Sequence, residues 1–381
     1  MKVCDVVLNS IWHDPRVRKQ INEYIVNGVD LSCVGVKCKR YDSKRIADLP
    51  CKTIIVEPDS KYAGKQKNVF RKLKREHLLQ KAVCKAILEQ KPDIIHANDL
   101  NALIPAYMAS RKLKCKLIYD SHEINTKDLY FRDKRLYAFI LRMEERFICK
   151  RVVKMICVSN SAAEYFAKYY NIEKPMVITN CTLKSDQCNS TKKNDGFEII
   201  NHGQFLSGRG YDIMVEALPL LKEYSDIKIA LRGVGSMGDK LCARAEELGN
   251  DNFRFYEPVH VSELVREASK SMVGVAITEP ICINFKLSVS NKLFEYAAAG
   301  LPVIMSDIPE HRYLNEKFKF GIIIDENTPQ QFADAVVKLY EDREFYLKCS
   351  DNARRLSNEI YWEKEFSKLI YFEKNLYENE M

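Results

Sequence analysis

The sequence predicts two doubly wound α/β domains in succession, and three observations carry that expectation. Short Val/Ile-rich runs alternate with longer amphipathic stretches along nearly the whole chain. Near-continuous apolar strands joined by helical crossovers belong to parallel sheets covered on both faces. The rhythm runs twice, and a polar, turn-rich segment from Cys181 to Gly196 separates the two passes. The length agrees, since 381 residues exceed one ordinary hydrophobic core.

In the first pass, strands are expected at 2–8, 30–36, 52–57, 93–97, 116–120, 154–159 and 176–179. Helices are expected near 16–27, 65–91, 101–112, 130–150 and 160–170. Asp14 before Pro15 reads as an N-cap with proline at the first helical position. In the second pass, strands are expected at 197–202, 227–233, 253–256, 272–277, 302–305 and 321–324. Helices there fall near 210–223, 237–248, 261–269, 290–299, 308–315, 329–342 and 344–356, and Gly300 with Pro302 stops the fourth of them. The stretch from Tyr361 to Met381 has helical apolar spacing (Trp362, Phe366, Leu369, Ile370) but follows no strand, so it must dock on something already built. The expected domains are therefore 1–184 and 197–360, joined by a linker at 185–196, with 361–381 as an added helix.

Hydrophobic residues make up 46% and charged residues 29%, a composition that excludes a disordered or low-complexity chain. The longest nearly apolar run, Phe294 to Met305, is broken by Glu295, Gly300 and Pro302 and is too short to span a bilayer. The N-terminus moves straight into a strand that contains Asp5, without a secretory leader, so a cytoplasmic protein is expected. Thirteen cysteines, an odd number without a Cys-x-x-Cys pair, read as reduced packing residues rather than disulfides or zinc ligands.

Charge is divided unevenly. Residues 1–180 carry a balance of +15 and the remainder −7. A basic half suits an anionic partner, but no nucleic-acid-binding module is present, so nucleic acid is not expected. Lys61 to Lys91 holds ten Lys and Arg against Glu76 and Glu89. For residues 61–77 that density points to an anionic membrane surface.

Ligands of doubly wound sheets bind beyond the carboxyl ends of the strands. After the first strand, Asn9 to Arg18 lacks the glycine-rich turn that a dinucleotide requires, which argues against a nicotinamide or flavin cofactor. The fourth strand ends His96-Ala97-Asn98-Asp99 and the fifth ends Asp120-Ser121-His122-Glu123. Two such clusters at adjacent strand ends converge on one rim, where each histidine is either structural or a substrate contact. A third strong metal ligand is missing. In the second half, His202 to Tyr211 contains Gly203, Gly208 and Gly210 between a strand and a helix. Glycines let the backbone approach a ligand, and Arg209 near a helix start suits phosphate. Gly233 and Gly235 follow the next strand in the same way. Ser288, Ser290 and Asn291 then open a helix that carries Glu295, a carboxylate suited either to the helix dipole or to a sugar's vicinal hydroxyls.

The string from Asn291 to Ile304, NKLFEYAAAGLPVI, closely resembles the nucleotide-sugar signature of the family 4 glycosyltransferases, retaining enzymes of GT-B fold. The turn from Gly203 to Gly210, Asp14-Pro15-Arg16-Val17, and Asp120-Ser121-His122-Glu123 resemble that family in the same order. The resemblance implies two Rossmann-like domains facing each other across a cleft, with the last helix crossing back to the first domain. It implies that Glu295 binds the donor ribose and that Arg209 and Lys292 lie near the diphosphate. Gly203, Gln204, Gly233, Ser288, Ser290 and Asn291 would complete the donor site. His122 would stand near the transferred sugar, with Asp14, Arg16, His96 and Asp99 on the acceptor side.

His122, Arg209 and Lys292 are then the catalytic set, with no metal and no cofactor beyond the nucleoside-diphosphate sugar. The implied acceptor is a glycan or a lipid-linked precursor of a cell-surface polysaccharide. Two positions depart from the family pattern. Leu287 stands where many members carry a Glu, with Glu279 as a candidate replacement, and Gln204 stands where an Arg often follows the glycine. The alternatives are a nucleotide-sugar epimerase of the same fold and a catalytically silent accessory subunit.

Overall fold

The computed structural model describes residues 1–9, 11–37, 49–58, 69–188, 192–248 and 251–378. Of the basic segment 61–77, residues 61–68 lie outside the described residues, as do 189–191 of the expected linker. The chain divides into two compact units, Met1–Thr179 with Glu363–Met381, and Asn180–Trp362.

The first unit is built on seven parallel strands: β1 (Lys2–Val7), β2 (Asp30–Val36), β3 (Lys52–Val56), β4 (Ile94–Asn98), β5 (Lys116–Ser121), β6 (Lys154–Cys157) and β7 (Met176–Val177). Their order is β3-β2-β1-β4-β5-β6-β7. β1 pairs with both β2 and β4, so the strand order reverses there and the carboxyl ends part to leave a crevice. The register sets Asp5 beside His96 and Asn98 beside Asp120. Asp14 caps the helix Pro15–Val26 as the sequence predicts, its Oδ1 accepting from the Arg16 and Val17 amides.

The second unit carries β8 (Phe197–Gln204), β9 (Ile227–Val234), β10 (Phe253–Tyr256), β11 (Val273–Ala276), β12 (Val303–Ser306) and β13 (Gly321–Ile324), all parallel. The order β10-β9-β8-β11-β12-β13 places its reversal between β8 and β11. Gly203 and Gly233 are register partners, and a Cβ on Gly233 would stand 1.8 Å from the Gly203 carbonyl oxygen. Gly274 of β11 lets the Tyr296 ring lie against the sheet, since a Cβ there would meet that ring at 2.2 Å.

Three local differences from the sequence reading have identifiable causes. The helix expected over 210–223 is a short helix, Tyr211–Glu216, followed by a 3₁₀ turn at Leu218–Leu221, because Pro219 lacks an amide donor. The helix expected from 130 begins at Arg135, behind two 3₁₀ turns. A one-turn helix at Ile283–Leu287 was too short for its periodicity to register.

Segment 185–196 is docked against the second unit wherever it is described. The Cys188 amide donates to Ala298 O at 3.0 Å, and Lys193 Nζ donates to Ser269 O and Ser271 O at 2.8 Å each. Polar residues in this segment serve as caps for carbonyls at a helix end.

The last helix, Trp362–Glu378, belongs to the first unit from Glu363 onward. Phe366, Leu369 and Ile370 are buried, and the Phe366 ring meets Tyr24 edge-on at 5.2 Å. Glu365 accepts from the Thr179 amide at 3.0 Å and Lys368 Nζ donates to Val177 O at 3.2 Å, so this helix covers the end of the sheet at β7. Among the described residues no helix is long and apolar enough to cross a membrane.

Candidate functional site

Each unit carries a polar rim at the carboxyl ends of its central strands. In the first unit the centre is Asp120, at the end of β5. Arg16 holds it in a fork, with Nε 3.0 Å from Oδ2 and Nη2 3.0 Å and 2.8 Å from Oδ1 and Oδ2. Gln20 Nε2 adds a bond of 2.8 Å, and the His96 and His122 rings each bring a nitrogen to 3.6 Å. Burial by itself would raise the Asp120 carboxyl, but Arg16 and His122 outweigh it and hold the group well below the usual carboxylate range.

His122 has further partners. Its Nε2 lies 3.2 Å from Asn98 Oδ1, its Nδ1 3.4 Å from Asp99 Oδ2, and its amide donates to Asp99 Oδ1 at 3.1 Å. Asp99 takes a left-handed backbone with φ of +64°, the strained conformation that returns its carboxylate toward β5. Burial disfavours the imidazolium, yet Asp99 and Asp120 together push His122 up to about 9. At neutral pH the ring is therefore a cation held between two carboxylates.

Of the five residues expected on the acceptor side, His122 and Asp99 keep solvent exposure at the rim, at 14% and 25% of their side chains. Asp14 caps its helix and also accepts from Asn9 Nδ2 at 3.0 Å. Arg16 and His96 are buried beneath the rim, with Arg16 committed to Asp120 and to Ile178 O. The sequence reading missed Gln20 and Tyr24, although Arg16, Gln20 and Tyr24 recur every four residues on one helix face. Polar groups at that spacing were the available signal.

Asp5 and Glu373 were also missed, and they lie deeper. Burial pushes the Asp5 carboxyl up to about 6, against His96 and Asn98, which oppose the shift. Burial likewise raises Glu373 to about 7, opposed by His96 and Tyr24. Asn98 Nδ2 donates to Asp5 Oδ1.

In the second unit the rim forms around Gly203, whose φ of +128° only glycine adopts readily. A Cβ there would reach Tyr211 Oη at 3.3 Å and Lys292 Cε at 3.4 Å, so the absent side chain leaves room at the tip of β8. The helix Asn291–Ala298 brings Lys292 and Glu295, one turn apart, to this point. Lys292 Nζ donates to Asn201 Oδ1 at 2.6 Å and to Tyr211 Oη at 3.2 Å. Glu295 Oε2 lies 2.7 Å from His202 Nε2, and the His202 ring stacks at 4.5 Å on Tyr296, whose Oη accepts from the His202 amide.

Burial, and then the charge of Arg209, lowers Lys292 to about 7 despite the opposing Glu295. Arg209 lies over the Phe285 ring at 4.3 Å, and the Asn201 amide holds its carbonyl at 3.3 Å. Gly208 and Gly210, both at positive φ, shape the turn between them, and Glu279 joins it through its amide to Gly208 O at 3.0 Å.

The structure thus brings Gly203, Arg209, Lys292 and Glu295 together. Ser288 and Ser290 stand just before the helix, where Ser288 Oγ bonds Phe285 O at 3.2 Å, and Asn291 opens it in solvent. Gln204 ends β8 beside Val234, and Gly233 serves the close approach of β8 and β9. His202, Asn201 and Tyr211 were missed as site residues. Their period-two and helical positions resemble ordinary core positions in the sequence alone. Among the described residues no group of three or more His, Cys, Asp or Glu is placed to hold a metal ion.

Comparison with known proteins finds matches on both halves of the chain. The family model for glycosyl transferases group 1 matches residues 184–356, and that for glycosyltransferase family 4 matches residues 49–182. Sucrose-phosphate synthase 1 of Arabidopsis thaliana is 30% identical over 106 residues, 27% of this chain and only 9% of that protein's length. The structure of sucrose-phosphate synthase from Thermosynechococcus elongatus superposes with a TM-score of 0.76 at 13% identity, over the whole of both chains. Anabaena HepE in complex with UDP and glucose gives 0.74 at 15% identity, over 98% of this chain and 99% of that one. With transferase models on both halves and the same fold throughout, the chain belongs to the glycosyltransferases of the GT-B type.

Proposed function

We propose that this chain is a retaining, metal-independent family 4 enzyme that moves a hexose-type sugar from a nucleoside diphosphate to a hydroxyl acceptor. One observation carries the reading. Arg209 and Lys292 are held together at a glycine turn, at the N-terminus of a helix, closely enough that Arg209 depresses the lysine. A guanidinium, an amine that an anion would return to its charged form and a helix N-terminus gathered at one point favour an anion with several oxygens, which a diphosphate supplies. Glu295 stands one turn further along the helix, braced by His202 and suited to a pair of ribose hydroxyls. The UDP in the similar Anabaena structure supports a nucleotide donor.

When the anomeric bond breaks, negative charge grows on the diphosphate. Arg209, Lys292 and the helix N-terminus stabilise it where it develops, without reorganising. The cationic His122 places its positive charge on the acceptor-side rim, near the transferred sugar. The acceptor is a lipid-linked or polysaccharide precursor of a surface glycan, met by a cytoplasmic enzyme at the inner face of a membrane, with the basic segment 61–77 contributing to attraction.

A thermal-shift screen of the purified chain against UDP-, GDP- and dTDP-sugars tests the donor, because a ligand that binds the native state raises its melting temperature. The stabilising donor is then incubated with and without a lipid-linked acceptor. Product only with acceptor supports transfer. Isomerised donor without acceptor identifies an epimerase, and binding without turnover identifies a silent subunit.

A further inference from the structure

The helix Arg135–Cys149 leaves an apolar stripe in solvent. Leu136, Phe139, Ile140, Met143 and Phe147 follow the three-four spacing of one helix face, and each is between 47% and 74% exposed. The opposite face buries Ala138, Glu145, Ile148 and Cys149 on the first unit. Glu145 is anchored there by Tyr119 Oη at 2.6 Å and Tyr170 Oη at 2.5 Å, so the helix cannot simply rotate its apolar side inward. A stripe of this kind in water, continued by the exposed Tyr130, marks an interaction surface.

Charge identifies the occupant. Residues 130–151 hold seven Lys and Arg against three acids, and one of those acids is the buried Glu145. Arg135 and Arg142 border the stripe, the half-buried Arg146 donates from Nε to Tyr170 O at 3.4 Å, and Lys134 and Arg151 stack on the stripe's aromatic residues, with Nζ 3.2 Å from the Tyr130 centroid and Cζ 3.6 Å from that of Phe147. Cations bordering exposed Leu, Phe and Met on a helix lying flat match the layered chemistry of an anionic bilayer, acyl chains below and phosphates at the edge.

We propose that this helix docks the protein on an anionic phospholipid surface, with its apolar stripe below the headgroups and its arginines among the phosphates. This helix is a separate element from the helix Val69–Gln90, which carries the described end of the basic segment 61–77. The proposal deepens the functional reading, which it needs only for the identity of the acceptor. The chain between His122 and this helix is short, and Asn125 Nδ2 ties it to Asp99 Oδ1 at 3.4 Å. An acceptor embedded in the same surface would therefore emerge close to the rim that carries His122 and Asp99.

Flotation with vesicles of phosphatidylglycerol and phosphatidylcholine tests the proposal without donor or acceptor, so its result stands apart from transfer. Wild-type protein should float with the anionic vesicles. Combined Leu136→Ser, Phe139→Ser and Met143→Ser, and separately combined Lys134→Gln, Arg135→Gln and Arg142→Gln, should each lower the partition about tenfold or more with unchanged melting temperature. Phe139→Trp should add a blue-shifted emission component with anionic vesicles and not with pure phosphatidylcholine. The serine variant should transfer sugar normally to a short, soluble acceptor and slowly to a lipid-embedded one. Undiminished flotation of the serine variant, or no flotation of the wild type, would overturn the proposal. So would a wild-type dimer that the serine variant converts to monomer, because a second copy would then be the occupant.

Discussion

Tyr24 Oη donates a hydrogen bond of 2.8 Å to Glu373 Oε1, joining the first helix to the last across 349 residues of sequence. The same oxygen lies 2.8 Å from His96 Nδ1, and His96 Nε2 faces Asp120 Oδ2 at 3.6 Å. Burial opposes the His96 imidazolium, but Asp120 and Asp5 outweigh it and raise the ring above the ordinary histidine value. The C-terminal helix is thus linked, group by group, to the carboxylate that holds His122. Deep burial makes this link sensitive to charge.

Glu373 provides the first prediction. Its folded pKa of about 7 lies above the ordinary value, so its contribution to stability is complete below about 4.5 and is lost as pH rises through 7. Glu373→Gln keeps the acceptor for Tyr24 and removes the buried charge. It should be more stable than wild type by about 1–3 kcal/mol at pH 8 and nearly equal to it at pH 5. Denaturant melts at the two pH values decide this. An equal difference at both would show that Glu373 does not titrate.

Lys292, lowered to about 7 by burial and Arg209, is largely neutral at pH 8. A bound diphosphate would restore its charge, so donor binding at pH 8 should take up close to one proton, and at pH 6 almost none. Calorimetry in buffers of different ionisation enthalpy measures this uptake. It should vanish in Lys292→Ala, and persistence there would place the titrating group elsewhere.

Glu295→Ala should weaken donor binding by about 1–3 kcal/mol, because the ribose hydroxyls lose a charged acceptor and His202 loses its partner. Arg209→Ala should chiefly lower kcat, because its charge counts most as the diphosphate departs. Steady-state kinetics separates the two effects. If both variants keep wild-type kcat and KM, the donor site has been misassigned.

The imidazolium of His122 should impose a basic limb on the kcat profile near pH 9, with activity falling as the proton is lost. Asp99→Asn removes one of the two carboxylates that raise this pKa and should move the limb downward. A limb that stays in place in Asp99→Asn, or persists in His122→Gln, would assign it to another group.

Transfer should continue in EDTA, since Arg209, Lys292 and the helix N-terminus answer the charge of the diphosphate. Complete loss with chelator, restored by Mg²⁺ or Mn²⁺, would require a metal in that role.

Much of the architecture was legible because it is written in local periodicity. Near-continuous Val/Ile runs such as Cys4 to Leu8 and Ile227 to Leu231 have little alternative to buried parallel strands, and the crossovers between them read as helices. The donor rim was legible for a related reason. Gly203, Arg209, Lys292 and Glu295 lie in two short strings whose glycines and helix signals place them at strand ends. Rules of this kind fail where a residue's surroundings come from distant chain. Nothing near Glu373 distinguishes it from the solvated glutamates of the same helix, yet it is fully buried on Tyr24.

Local patterning was enough to show which segments become strands and helices, where the chain returns to begin a second sheet, and which strand ends carry ionisable groups. Backbone propensity and side-chain pattern act over a few residues, so these features survive in a linear reading. Tertiary structure decided protonation and partnership. It buried Arg16 on Asp120 and set Asp5 beside His96 by strand register. It made His122 a cation, left Lys292 near neutrality, and turned the Leu136–Phe147 stripe to solvent. Those outcomes depend on desolvation and on charges a few ångströms away in space, distances that sequence separation does not encode.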